Sequence, residues 1–249
     1  MIALGDVAIM GGGCYGTFYV GQLEAARAKD ALTYRQLLVV DRDPACQAAS
    51  RLPADAATLV TADWNDFLDR WLDSPARDHD GLSDAIVPTP FMPHLLAQWL
   101  ARRARARWPN REVSLVPATE PLGTPYDRLH ADGVRYVSFA DWLCPMHCVE
   151  PLLCPVIKAP RTWEMSDAVT AWTAARARAR PTAGPALFTC RHVAYGVGMY
   201  PVRAAFDGFD AFMPVADSLT GGDLVIGSVS ACHGAIAVLR VGPRRAAAA

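Results

Sequence analysis

Nothing in this sequence approaches the roughly twenty consecutive apolar residues that a bilayer-spanning helix needs, so no membrane partner is expected. Nor is there a basic excess: 24 Lys and Arg against 25 Asp and Glu leave a formal charge of -1. Neutralising phosphates requires a positive face, so nucleic acid is not an expected partner either. The single basic run, Arg102, Arg103, Arg105 and Arg107, lies on an expected helix whose opposite face carries Leu95, Leu96, Trp99 and Leu100, and it reads as a solvated face. The opening residues, MIALGDVAIMGGG, lack a basic leader and a small-residue cleavage site after an apolar core, which argues against a secretory signal. A cytoplasmic location is therefore expected, where thiols stay reduced. The odd total of seven cysteines suits a disulfide framework badly. Internal repeats and low-complexity linkers are also missing.

What is present is the mix of a globular protein, 52% apolar and 20% charged, in a chain of 249 residues that can bury a sizeable core. Short apolar runs at 7–10 (VAIM), 37–40 (LLVV), 58–61 (TLVT), 85–87 (AIV) and 113–116 (VSLV) read as five buried strands. Helical stretches at 15–29, 44–51, 64–71 and 93–108 separate them, with Pro93 at a first helical position. This alternation predicts an α/β fold: a doubly wound parallel sheet over residues 1–117. Residues 118–249 read as a smaller α+β unit. They contain a strand at 136–139, a helix capped by Ser166, a strand at 186–190, and a hairpin of 223–229 with 235–241 around the turn ACHG.

After the first strand comes GGGCYG, in which Gly11, Gly13 and Gly16 satisfy G-x-G-x-x-G, with Cys14 and Tyr15 between them. Glycines there let the backbone turn tightly and approach a pyrophosphate, and the following helix offers free N–H groups. Asp41 ends the second strand, where a carboxylate can bind both ribose hydroxyls of NAD, while the adjacent Arg42 suits NADP. At these residues the first 115 or so positions resemble the Rossmann NAD(P)-binding superfamily. The resemblance implies dinucleotide contacts at Gly11, Gly13, Gly16 and Asp41. Methyltransferases share the strand-loop-helix plan, and Asp63 in TADW stands where their adenine-side acid would. In parallel sheets ligands lie at the carboxyl ends of strands, so the connection VPTPFMPH should overhang the site and offer His94 as a proton donor. In CRHVAYGVGMYP, Arg191 and His192 suit an anionic group, and Tyr195 is a second proton donor.

The most unusual stretch is LCPMHCVEPLLCP, residues 143–155. Pro145, Pro151 and Pro155 interrupt both helix and strand, and the apolar content argues against disorder, so something other than a backbone ladder must organise it. Cys144, Cys148 and Cys154 can do so around a metal. The cysteine-proline pairs loosely resemble those of ferredoxins, and an iron–sulfur cluster (4Fe-4S) is the expectation. Zinc, completed by His147 or His192, is the alternative. Cys190 is the expected fourth ligand and Cys232 the second choice. Cys46 reads as an ordinary small residue. Glu150 can orient a ligand or pair with Lys158 or Arg161.

The sequence thus predicts a cytoplasmic NAD(P)-binding protein with a cysteine-ligated metal centre, an oxidoreductase-type role and a small-molecule substrate. A homo-oligomer is compatible with it. The alternatives are a non-catalytic redox or nucleotide sensor, or an S-adenosylmethionine-dependent methyltransferase with a zinc-stabilised loop.

Overall fold

A computed structural model describes residues 1–53, 55–74, 81–89, 94–145 and 148–244. In chain order the elements are β1 (Ile2–Met10), α1 (Cys14–Arg27), β2 (Leu32–Asp41), α2 (Gln47–Arg51), β3 (Thr58–Thr61), α3 (Trp64–Leu72), β4 (Ser83–Val87) and α4 (Leu95–Arg107). There follow β5 (Val113–Val116), β6 (Tyr126–Leu129), β7 (Arg135–Ser138), β8 (Leu153–Cys154), β9 (Ala159–Pro160), α5 (Met165–Ala177) and β10 (Thr182–Thr189). Last come β11 (Arg191–Ala194), β12 (Val197–Pro201), α6 (Arg203–Ala216), β13 (Gly222–Val229) and β14 (His233–Val241). The class is α/β. No helix among the described residues is long and apolar enough to cross a membrane.

The chain divides into two compact units, Met1–Leu95 with Arg191–Arg203, and Leu96–Cys190 with Ala204–Ala249. The first holds a six-stranded sheet in the order β11-β12-β4-β1-β2-β3. Its β3-β2-β1-β4 portion is parallel, as alternating strands and helices require. β12 then adds antiparallel to β4, with Tyr200 opposite Ile86 and Pro201 opposite Ala85. α1 buries Gly16, Val20, Leu23 and Ala26, a three-to-four-residue spacing that keeps them on one face. Val20 and Leu23 pack with Val7, Ile9, Leu37, Val39 and Val87, and Val197 and Met199 of the late-arriving β12 belong to the same core.

The second unit holds a sheet in the order β10-β13-β14-β7-β6. The nine-residue β14 serves two further strands in succession: β7 pairs with its first half, Val137 opposite Gly234, and β5 with its second, Leu115 opposite Leu239. Burial of Val225, Ile236 and Val238 beneath Met165 and Val169 of α5 makes this unit's core.

Three sequence expectations are corrected. β5 lies antiparallel on β14 of the second sheet, not fifth in the first: a four-residue apolar run such as VSLV fits either sheet, and its partner strand decides. The boundary expected near Pro117 accordingly falls at Leu95, and Arg191–Arg203 returns to the first unit. α5 is entered from Glu164, not Ser166, with Asp167 in its first turn as expected. The β13–β14 hairpin around ACHG is found as predicted.

Candidate functional site

Each unit carries one candidate site. In the first, β1 delivers the chain into the glycine turn. Gly11 adopts φ +99°, a left-handed conformation that glycine tolerates, and its N–H donates to Val40 O at 2.8 Å. A Cβ on Gly16 would stand 1.8 Å from Gly11 O, so the turn and the helix behind it fit only with glycine there. One carboxylate oxygen of Asp41 accepts the Gly12 N–H at 2.7 Å and the other accepts the Asp43 N–H at 2.9 Å, fixing the turn against the end of β2. Trp64, which sequence reasoning passed over, donates from its indole to Val40 O at 2.9 Å, and its ring lies 3.5 Å from a Cβ built on Gly11.

Gly13 differs from its neighbours. It is the N-cap of α1, has an ordinary φ of -75°, makes no side-chain cap, and a Cβ added to it meets no atom within 4 Å. The first turn of α1 carries no acidic residue. Cys14 in that turn is exposed and Tyr15 half-buried. The site therefore offers helix N–H groups at an open face, the arrangement that receives an anion. Of the other expected residues, Asp63 caps α3 by accepting the Asn65 N–H at 2.8 Å, and Arg42 is exposed beside Asp41. His94 is buried immediately ahead of α4, beyond the carboxyl end of β4. Phe91, Met92 and Pro93 lie outside the described residues. Tyr195 sits in the β11–β12 turn at φ +48°, its carbonyl accepting from Gln22 at 2.9 Å and its ring 5.8 Å from the Lys29 ammonium. Those contacts tie it to the middle and far end of α1 rather than to the glycine turn.

In the second unit, Cys144, Cys148, Cys190 and Cys232 are gathered near Glu150. Glu150 takes φ +50°, its own N–H donates to Cys148 Sγ at 3.3 Å, and its carboxylate reaches the β13–β14 turn. There it accepts from Ser230 Oγ and Ala231 N, both at 2.7 Å, and from Cys232 N at 3.3 Å. The turn thus receives the cysteine segment by three hydrogen bonds to one carboxylate. Lys158 and Arg161, its expected partners, act elsewhere: the Lys158 N–H closes a turn on Cys154 O at 2.9 Å, and Arg161 donates to Trp163 O and Glu164.

Burial and neighbouring charge disfavour the thiolate at Cys144, Cys190 and Cys232. Burial pushes Cys144 above the usual thiol range, and the neighbouring Cys148, Cys154 and Glu150 push it further. Burial and then Glu150 raise Cys190 to about 12. Cys232 is raised to about 11 by burial, against the Trp163 indole that donates to its sulfur at 3.3 Å, with Glu150 and Cys144 adding to the rise. Cys232 is therefore coupled to the Cys144 group, whereas Cys190 feels Glu150 alone. His233 stands with them: its Nε2 is 3.9 Å from Cys144 Sγ and 3.8 Å from Glu150 Oε1. Only its place beside Cys232 in ACHG could have signalled this from sequence. His147 lies outside the described residues, and His192 is in the first unit, hydrogen-bonded to Gly196 O at 3.0 Å. Among the described residues, no three His, Cys, Asp or Glu side chains are close enough together to hold an ion as they stand. The donor chemistry suits a soft or borderline metal, since a cation among the thiols would favour the thiolates that Cys144 and Cys232 otherwise resist.

Residues 96–242 match a protein-family model described as "Uncharacterized protein, C-terminal domain". The match begins where the second unit begins and contains Cys144, Cys148, Glu150, Cys154, Cys190, Cys232 and His233. Comparisons with curated proteins and with solved structures gave no match.

Proposed function

The chain belongs to the AF_1314_C family through residues 96–242, and on that premise we propose that the family domain carries a cysteine-ligated metal centre while a Rossmann-like unit ahead of it binds a dinucleotide. The observation that carries the dinucleotide is Gly13. Protein geometry accounts for glycine at 11 and 16, but nothing in the fold excludes a side chain at 13. A pyrophosphate approaching the N-terminus of α1 supplies the missing reason, because a Cβ there would occupy its place. The β3-β2-β1-β4 order and the acidic end of β2 support the same reading. Asp41 would hold the turn and keep remaining lone pairs for a ribose. A bound nicotinamide would supply hydride chemistry, with His94 the buried group on the carboxyl side of β4 suited to hold a proton. The role is then oxidoreductase-type.

The test is calorimetric titration of NAD, NADP and S-adenosylmethionine into wild type, Gly13→Ala and Gly16→Ala, with circular dichroism of each. Wild type should bind NAD or NADP, Gly13→Ala should stay folded and lose at least tenfold in affinity, and Gly16→Ala should fold poorly. Binding of S-adenosylmethionine alone moves the reading to a methyltransferase; equal NAD affinity in Gly13→Ala removes its support.

The metal centre rests on the polarity of the thiol cluster. A nucleophilic cysteine sits in an electropositive setting that lowers its pKa. Here the resolved thiols shift upward, under the influence of other thiols and a carboxylate. That pattern favours a cation held by Cys144, Cys148, Cys154 and Cys232 over thiol catalysis, and makes Cys232 the better fourth ligand than Cys190.

A further inference from the structure

We propose that the metal of the second unit is a single zinc-type ion in a mixed sulfur and nitrogen site, with Nε2 of His233 as a ligand aimed by Ser138. The inference rests on the metal-centre reading above and names the ion's class and a ligand that the cysteine pattern does not contain.

Ser138 Oγ lies 2.9 Å from Ala140 O and can donate its proton there. The same Oγ accepts the Ala140 N–H at 2.9 Å. His233 Nδ1 is also 2.9 Å from that oxygen, and on this proposal the hydroxyl proton stays with Ala140 O and Nδ1 is the donor. In a neutral imidazole this leaves Nε2 unprotonated, its lone pair pointing away from Ser138. Metal-binding histidines are prepared in this way: the far nitrogen gives its proton to a fixed acceptor, which sets tautomer and ring orientation.

Nε2 faces the thiol group. Its 3.9 Å separation from Cys144 Sγ compares with about 3.6 Å for a sulfur and a nitrogen on one tetrahedral zinc, given bonds of about 2.3 and 2.0–2.1 Å. The pair needs a shift of only a few tenths of an ångström to share an ion. Two thiolates from the Cys148, Cys154 and Cys232 group would have to close in to complete a four-ligand sphere, since the described side chains as they stand do not enclose an ion. An iron–sulfur cluster anchored by four thiolates would give this oriented imidazole no work. Glu150 Oε1, 3.8 Å from Nε2 and bonded to the turn that carries His233, holds the two ligand-bearing segments together.

The experiment uses the full chain, stripped of metal under reducing conditions and titrated with cobalt(II), reading the thiolate-to-cobalt charge-transfer and d–d absorption. Wild type should take up one cobalt with a tetrahedral spectrum. His233→Ala should weaken uptake more than a hundredfold, His233→Cys should restore it with a stronger charge-transfer band, and Ser138→Ala should weaken it roughly ten- to hundredfold. Circular dichroism of each variant guards against misfolding, and Ser138→Ala decides if His233→Ala does not fold. No thiolate-to-cobalt band in wild type overturns the metal-centre reading itself. A normal band that His233→Ala and Ser138→Ala leave unchanged overturns only the histidine ligand. Iron and sulfide in protein purified without oxygen overturn the single ion and leave the cysteine ligation standing.

Discussion

The carboxylate of Glu150 accepts the N–H of Ala231 at 2.7 Å across 81 residues of sequence, and this contact joins the proline-interrupted cysteine segment to the β13–β14 turn. A segment that can form neither helix nor ladder takes its shape from such anchors.

Glu150→Ala should therefore destabilise the metal-free protein by about 2–3 kcal/mol, since it removes a charged acceptor and leaves the Ala231 N–H without its partner. Urea unfolding followed by tryptophan fluorescence measures it; a loss below about 0.5 kcal/mol would contradict the anchoring role.

Asp223 gives the pH dependence. Burial alone pushes its carboxyl up, but hydrogen bonds from Arg240 and Arg176 and the charges of Arg240 and Arg180 outweigh that and hold it below the ordinary carboxylate range. Its stabilisation is complete above the unfolded-state value of about 3.9 and is lost as pH falls through the lower folded value. Asp223→Asn should cost about 3–5 kcal/mol at pH 7, because it leaves arginines clustered around an uncharged centre, and should flatten the fall in stability below pH 4.

Native alkylation should separate the cysteines. Cys14 is exposed, whereas Cys190 and Cys232 are pushed up to about 12 and 11. With iodoacetamide at pH 8, mass spectrometry should find Cys14 labelled well before either. Early labelling of Cys232 in metal-free protein would contradict the electronegative cluster.

Asp41→Ala removes the acceptor of the Gly12 and Asp43 N–H groups and should lower stability by about 1–2 kcal/mol while abolishing dinucleotide binding. Thermal unfolding and NAD titration on one sample check both. Unchanged unfolding would mean that the turn does not depend on this carboxylate.

The parts of the fold that were legible are those written locally. VAIM and LLVV, flanked by a glycine turn and VVDRD, specify adjacent parallel strands because run, turn and helix follow one another within forty residues. VSLV of β5 carries no mark of its partner, so the sequence alone does not show that it pairs with β14. Nor does VGMYP of β12 announce that it completes a sheet begun at residue 2, since strand pairing over such separations is decided by packing. At the cysteine site the thiols and the ACHG turn could be read, but the choice between Cys190 and Cys232 depends on where a distant carboxylate lands. The role given to His233 depends on a hydroxyl proton of Ser138, which no spacing reveals.

The return of Arg191–Arg203 to the first unit sets an order of events at the ribosome. Four parallel strands are complete once Val87 emerges, yet β12, which covers the open edge of β4, follows about a hundred residues later. At roughly 5–20 residues per second, that edge, with Ala85 and Ile86 on it, waits some 5–20 s for its partner. A nascent chain at that stage has an unpaired hydrophobic strand available to any neighbour, and it is there that a holdase chaperone would be of use. The same threading means that no single cut in the gene releases the first unit intact.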